Sequence, residues 1–429
     1  MRYLVLNRTP LTGMRFPDWL GAGHEAVLLT DAAAVSSDPV ERASQLAGYA
    51  HVEVVQDYHF NPLVESQALA MHEKWGFEGV ISLSEFDLLR AARLREAFAV
   101  PGQDVASATA FRDKLVMKRI LSEAGVPVAP YAPVSNLADL LRFIDEVGYP
   151  VVVKPRSGGG SMDVHVLDDR HDVDTLLAAH RALGTDDGAH LLAEQYIEHE
   201  LLHVDGIVVD GETRLMWPST QGDSTCLDIK RGRILHSCML DADDPLFEPA
   251  RDLTRRALAA LPTPATSLFH AEVFRATDGR LVFNEVASRM GGGMIEDVVT
   301  LGFGHFLLEV FVRSVGGNEP PALPAAPDRI AGLALFPPRP GTLVEIPDAC
   351  PVPGITAYRR HAEPGTVLEP ARMSVEKIGS VLATGASRAE VERALAAAGA
   401  WFDGATVIRD AAADPGSGPA SGPAPDLAS

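Results

Sequence analysis

The sequence predicts an α/β protein whose second half becomes α+β, and three stretches carry that reading. Residues 1 to about 100 alternate short apolar runs with helical patterns, as in a small parallel sheet covered by helices. The apolar strand Val151-Val152-Val153-Lys154-Pro155 contains one lysine and leads directly into a serine-flanked glycine triplet. Finally, residues 267–293 place two apolar runs on either side of Asp278-Gly279, a strong hairpin signal.

In chain order, strands are expected at 3–6, 26–29, 52–55 and 79–82, with the clearest early helix over 85–98. No G-x-G-x-x-G follows the first strand, so a dinucleotide fingerprint is absent. Strand-end residues Asn7, Arg8 and Asp31 either line a crevice or are ordinary loop residues. After a boundary at Val100-Pro101-Gly102, one amphipathic helix is expected over 112–121, ended by Gly125 and Pro127. A second runs over 137–147 behind Ser135-Asn136, and a third over about 173–183. Strands follow at 191–198, 203–209 and 213–216, then a helix over 249–261 and one long helix over 295–316. From Ile330 onward the chain is β-rich, with strands at 332–336, 342–346, 366–368 and 377–384 and a helix over 387–398. Residues 411–429, rich in Ala, Pro, Gly and Ser, read as a disordered tail.

Bulk properties narrow the function. With 429 residues, 46% hydrophobic and 22% charged, the chain can build two or three domains with sizeable cores. A formal net charge of -21 argues against nucleic-acid or anionic-membrane partners while permitting a local basic pocket. Cys226, Cys238 and Cys350 show neither metal-ligand spacing nor a disulfide framework, so a reducing, cytoplasmic location is expected. The opening MRYLVLNR lacks a secretory apolar core, and no run reaches the ~18 apolar residues of a membrane helix.

The chemistry-bearing residues lie in the three stretches. A lysine inside a buried strand needs a polar partner, because an unpaired buried ammonium is costly. The loop Arg156-Ser157-Gly158-Gly159-Gly160-Ser161 offers backbone N–H groups to phosphates, or serves only as a flexible turn. It is no Walker A loop, since the lysine precedes the glycines. Residues 191–198 end in an acidic, amide and aromatic cluster whose backbone suits an adenine edge. Glu198 or Glu200 would then accept from ribose hydroxyls; an edge strand with exposed glutamates is the competing reading.

In the hairpin, a two-residue turn at Asp278-Gly279 sets Phe274 opposite Phe283 and Glu272 opposite Glu285. Facing side chains lie about 4.5–5.5 Å apart, and like charges there are destabilising. The pair therefore predicts a compensating cation, with Mg²⁺ suiting two carboxylates better than Zn²⁺. It also predicts that Glu285→Gln would stabilise the hairpin by relieving repulsion. Period-2 spacing carries Arg289 to the same face, and Gly291 to Gly293 follow where backbone can approach a ligand. A solvated hairpin with outward glutamates is the bland alternative. His236 is a candidate substrate contact or a structural histidine.

Taken together, Asp113-Lys114, Lys154 with its glycine loop, Glu194-Gln195-Tyr196-Ile197, Glu272…Glu285 and Arg289 resemble an ATP-grasp ligase over nearly the whole chain. Gly379 to Gly385, and the small residues of Glu285-Val286-Ala287-Ser288-Arg289, are similar to the dipeptide-forming L-amino-acid ligase branch. The resemblance implies an ATP-grasp fold with an N-terminal pre-ATP-grasp Rossmann-like domain over 1–102 and a central region over 103–328. Within it a lid subdomain spans about 128–200, and a β-rich C-terminal subdomain follows over 329–410. It implies ATP phosphates on Lys114 and Lys154 under a lid of Ser157, Gly158, Gly159, Gly160 and Ser161. Adenine would lie against Glu194, Gln195, Tyr196 and Ile197, with main-chain groups of Tyr196 and Ile197 on its edge and Glu200 or Glu198 on the ribose. Mg²⁺, or Mn²⁺ in its place, would be held by Glu272 and Glu285.

Arg289 and Lys154 would be catalytic, with His236, Arg289, Gly292, Gly293 and Met294 near the substrates. Three positions depart from the pattern: Ala287 stands where an Asn metal ligand is common, the ribose acid is out of register, and Gly293 replaces a bulky aromatic, implying a wider acceptor pocket. The implied reaction is ATP-dependent amide formation through an acyl phosphate, releasing ADP and phosphate, by a homodimer acting on small carboxylates and amines. The same fold could instead load an amino acid onto a carrier protein, make a purine-type intermediate, stop at a phosphorylated product, or only bind a nucleotide.

Overall fold

Four sheets organise the computed structural model, which describes residues 1–179, 183, 190–225 and 227–409. The tail expected at 411–429 and part of the helix expected over 173–183 lie outside the described residues; the visible helix is Arg170–Ala179. The first sheet is parallel, in the order His51–Val55, Glu25–Asp31, Arg2–Asn7, Gly79–Ser82. Helices cover both faces, so Leu4, Val5, Val27 and Leu28 are wholly buried, as parallel strands require. Ligands of open parallel sheets bind beyond the carboxyl ends of the strands. Here that edge, with Arg8, Thr9, Ser84 and Glu85, borders the large cavity.

A second, four-stranded antiparallel sheet runs in the order Tyr131–Val134, Leu191–Gln195, Val151–Pro155, His165–Leu167. Alternation in its lysine strand buries Val151 and Val153 in a local core and turns Val152 and Lys154 to the cavity.

The third sheet has eight strands and runs past residue 329 without a break. Its order is Leu281–Ala287, Ser267–Ala276, His199–Val209, Glu212–Thr220, Leu235–Met239, Ile330–Phe336, Gly379–Gly385, Ile355–Arg360. Three strands of the β-rich C-terminal stretch thus belong to the same sheet as the hairpin. Leu235 pairs with Leu335, and Phe269, Phe283, Leu333 and Phe402 share one core. Ile330–Phe336 is buried at every position, which its unbroken apolar sequence foreshadows. The helix Arg388–Ala405 packs on this part of the sheet. Gly341–Glu345, Val367–Leu368 and Val407–Arg409 form a small fourth sheet.

One expected helix begins two residues late and another is broken in two. The helix expected over 112–121 is Lys114–Glu123, capped by Asp113, whose Oδ1 accepts from Leu115 N (3.0 Å) and Val116 N (3.3 Å); Arg112 instead ends a preceding helix, Val105–Arg112. The long helix expected over 295–316 is Ile295–Phe303 and Leu307–Val315, meeting at 89°. Gly304, at φ 71°, ends the first of them. Leu137–Val147 forms as expected behind its Asn136 cap. Among the described residues no single helix is long and apolar enough to cross a membrane.

Candidate active site

The sheets and the N-terminal unit enclose a cavity of ≈ 1010 Å³. Its floor is the hairpin, whose register differs from expectation in two compensating ways. Ala276 N donates to Arg280 O (2.9 Å) and Gly279 N to Ala276 O (2.8 Å), so the turn holds three residues, with Gly279 at φ 86°. That shifts the pairs by one: Phe274 faces Val282, and Val273 faces Phe283. A bulge at Asn284 then restores Glu272 opposite Glu285. Because the bulge sets two residues against one, Asn284 and Glu285 both line the cavity. Asn284 Nδ2 donates to Glu272 Oε2 (2.8 Å), and its Oδ1 lies 3.5 Å from Lys154 Nζ. An amide thus stands one residue before Glu285, although Ala287 leaves the expected position without one. Strict alternation would have aimed Asn284 away from the cavity, which is why sequence reading missed it.

The compensating cations are lysines. Lys114 Nζ lies 3.2 Å from Glu285 Oε2, and Lys154 Nζ lies 3.9 Å from the same oxygen and 3.0 Å from Glu194 Oε1. Lys118, wholly buried and unforeseen, stands 3.3 Å from Glu194 Oε1. Burial pushes the Glu285 carboxyl up, but Lys114 and Lys154 outweigh it and hold the group down at about 2. Burial likewise lowers Lys154, yet Glu194 and Glu285 override it and raise the ammonium above its ordinary value. Lys118 is lowered by burial in spite of Glu194. The Glu194 carboxylate is therefore the shared counter-ion of two lysines, a role the sequence reading did not assign to it.

The remaining residues expected to hold a nucleotide divide between cavity and surroundings. Gln195, Tyr196 and Ile197 line the cavity, but the Tyr196 N–H donates to Pro150 O (3.1 Å) and is not available for an adenine edge. Glu200 is a correction: it accepts from Thr220 Oγ1 (2.6 Å), pairs with Arg275 (3.1 Å) and lies off the cavity, whereas Glu198 lines it. Gly158, Gly159, Gly160 and Ser161 border the cavity; Ser157 does not, and its carbonyl accepts from Arg112 Nη2 (2.6 Å). The loop is tied down by Lys114 Nζ on Gly158 O (3.1 Å) and by Ser374 N on Gly160 O (3.0 Å).

At the other end, Arg289 pairs with Glu85, which also pairs with Arg112. Burial pushes the Glu85 carboxyl up, but Arg289 and Arg112 hold it below its ordinary value. Glu85 and Arg112 were not foreseen; the available signal was Glu85's place just past the carboxyl end of the last parallel strand. A buried polar chain lies beside them. Asp205 accepts from His203 Nδ1 (2.5 Å) and His270 Nδ1 (2.7 Å), and His203 Nε2 meets Ser237 Oγ at 2.6 Å. The two histidines hold the Asp205 carboxyl far below its ordinary value despite burial, and Asp205 helps raise His270 to about 9 against burial.

His236 and Met294 are further corrections. Alternation along Leu235–Met239 turns Leu235 and Ser237 to the cavity and His236 away, its Nε2 3.9 Å from where a Cβ of Gly399 would stand. Met294, at φ 77°, packs against the core. Gly292 and Gly293 line the cavity, but a Cβ at Gly293 would lie 3.2 Å from Leu335 and 3.7 Å from Val375, which wall the space expected to be open.

A parallel-sheet unit, a lysine-bearing four-stranded sheet and a carboxylate hairpin around one cavity define the ATP-grasp fold. Residues 119–294 match the ATP-grasp domain family, and residues 333–400 match the L-amino acid ligase C-terminal domain 2. The L-arginine-specific L-amino acid ligase of Bacillus subtilis is 26% identical over 297 residues, covering 69% of this chain and 71% of that protein. D-alanine–D-alanine ligase A of Bacillus cereus is 28% identical over 117 residues, 27% of this chain and 36% of that one. The crystal structure of L-amino acid ligase from Bacillus licheniformis superposes with a TM-score of 0.73 at 18% identity, covering 96% of this chain and 99% of that chain. A biotin carboxylase domain dimer from Hydrogenobacter thermophilus, in complex with MgADP, superposes with a TM-score of 0.63 at 16% identity over 95% and 90%. The chain is an ATP-grasp ligase, and it carries the C-terminal domain of the L-amino acid ligases.

Proposed function

We propose that this ATP-grasp ligase joins the carboxylate of one amino acid or small peptide-like acid to the amine of another, releasing ADP and phosphate. The observation that supports it is the convergence of Lys114, Lys154, the glycine loop, Glu272, Glu285 and Arg289 on one cavity. In this reading the carboxylate oxygen attacks the γ-phosphorus of ATP and ADP departs, leaving an acyl phosphate. The amine then attacks the acyl carbon, phosphate leaves, and the nitrogen loses its extra proton to give the amide.

Lys114 and Lys154 place two ammonium groups where the phosphates would lie, and the N–H groups of Gly158 to Ser161 close over them. Positioning and electrostatics carry most of the catalysis of such transfers. Arg289, braced by Glu85, offers its guanidinium to the acyl phosphate and to the tetrahedral intermediate. The lid loop keeps water from hydrolysing the acyl phosphate.

The residues fit Mg²⁺: the donors are oxygens of Glu272 and Glu285, and Glu272 Oε1 stands 3.8 Å from His270 Nε2, beyond hydrogen-bond range. Bound there, Mg²⁺ would neutralise phosphate charge, and Mn²⁺ would serve through the same oxygens. A homodimer belongs to the same proposal and is read by light scattering. The decisive experiment measures phosphate release from ATP across amino-acid pairs, with mass spectrometry of the products. Amide product is expected; turnover without an amide or thioester overturns the reading.

A further inference from the structure

Beyond the carboxylate shelf, the cavity is bounded by the glycine run and the first turn of Ile295–Phe303, where Glu296 lines it. Glu296 Oε1 accepts from Leu307 N at 2.5 Å and so caps the next helix, Leu307–Val315. Its other oxygen, Oε2, is buried and has no hydrogen-bond partner among the described residues. Capping needs only one acceptor oxygen, so it does not account for a whole buried carboxyl group. Among the described residues Glu296 forms no ion pair, and the nearby Asp205 carboxylate is committed to His203 and His270. Burial, aided by Asp205 and Asp297 and opposed by the Leu307 and Leu308 N–H groups, pushes the Glu296 carboxyl up to about 8. A cationic donor arriving from the cavity would reverse that penalty and satisfy Oε2.

We propose that Glu296 Oε2 receives the ammonium group of an amino-acid substrate, making this residue a specificity determinant at the substrate end of the cavity. The inference rests on the ligase reading for its substrates, and an ammonium is common to the carboxylate donor and the amine acceptor. The two sources separate experimentally. Trapping the acyl phosphate with hydroxylamine reads the donor alone, whereas amide yield at saturating donor reads the acceptor.

Glu296→Gln keeps an oxygen for the Leu307 N–H and nearly the same volume, so the cap is retained. The expected result is a tenfold or larger rise in KM for one amino acid, with KM for ATP within twofold. The wild type should also favour that amino acid over its deamino counterpart, and the variant should lose most of that preference. Unchanged KM for both amino acids and an unchanged preference would overturn the proposal, a lowered Tm then marking a cap only. Calorimetric titration of L-arginine, L-alanine and their deamino analogues reads the ammonium contact without turnover. No hydroxamate or amide from the wild type, beside Glu296-dependent amino-acid binding, would defeat the ligase reading and leave the ammonium site standing; equal affinity of wild type and variant would defeat the site.

Discussion

Two sets of carboxylates lie at or beside the cavity and are paired differently. At the shelf, Glu194, Glu272 and Glu285 lie among Lys114, Lys118 and Lys154, and the pairing holds Glu285 ionised deep into acid. At the glycine-run end, Glu296 and Asp205 have no lysine or arginine paired to them among the described residues; Asp205 keeps its charge through two histidines, and Glu296 is pushed up by burial. The contrast teaches that burial alone does not set a carboxyl group's state; the cations packed beside it decide. A shelf rich in lysine suits a polyanion such as a nucleoside triphosphate, and a carboxyl without a cation suits a positively charged partner.

The largest break in this contrast is Glu285→Gln. Amide formation should fall a thousandfold or more. Stability should drop by about 2 kcal/mol in chemical denaturation, because Lys114 loses its carboxylate partner and Lys154 is left with Glu194. This reverses the gain that the hairpin's like charges alone predict, since the structure shows the repulsion already answered. Turnover at the wild-type level would refute the proposed metal role of Glu285. Lys118→Met comes next: it leaves Glu194 to Lys154 alone, and a loss of about 3 kcal/mol in stability is expected with a raised KM for ATP. A melt matching the wild type would show that the buried pair contributes nothing.

Arg289→Lys should lower kcat roughly 100-fold while leaving ATP affinity within about threefold, because a point-charge ammonium does not reproduce the guanidinium fork between Glu85 and the reacting phosphate. A change confined to ATP affinity would argue against that role. Acid and alkaline limbs of the stability curve sharpen the comparison. Glu285 has its folded pKa depressed to about 2 from an ordinary 4.5, so its contribution is present above 4.5 and lost as pH falls toward 2. Glu296 has its folded pKa raised to about 8 from 4.5, so its contribution is full below 4.5 and lost as pH rises to 8. Denaturation midpoints against pH should therefore show Glu285→Gln flattening the acid limb and Glu296→Gln the alkaline one; exchanged limbs would refute both assignments. The smallest effects are expected off the cavity, where Glu200→Gln and His236→Ala should keep turnover within about twofold.

How much of this was legible varies residue by residue. Lys154, the glycine loop, Glu272, Glu285 and Arg289 announce themselves by local pattern: a charge in an apolar strand, consecutive glycines, and acids at a fixed spacing from a turn. Asn284 was hidden because a bulge inverts the face that alternation assigns. Glu85, Arg112 and Lys118 were hidden because each acquires meaning from a partner far away in the chain, Arg289 lying 204 residues from Glu85. His236 and Glu200 looked functional by residue type, and strand geometry turned both aside.

The sequence by itself determined the α/β beginning, the Asn136 and Gly125 helix ends, the lysine strand and the facing glutamates, because these depend on neighbours within a few residues. Only the tertiary structure decided that Ile330–Phe336 extends the hairpin's own sheet. It alone decided that three lysines, rather than an ion alone, balance the shelf, and that Glu296 keeps one oxygen unpaired. Strand order, counter-ion choice and burial are set by contacts between distant segments, and no local pattern encodes them.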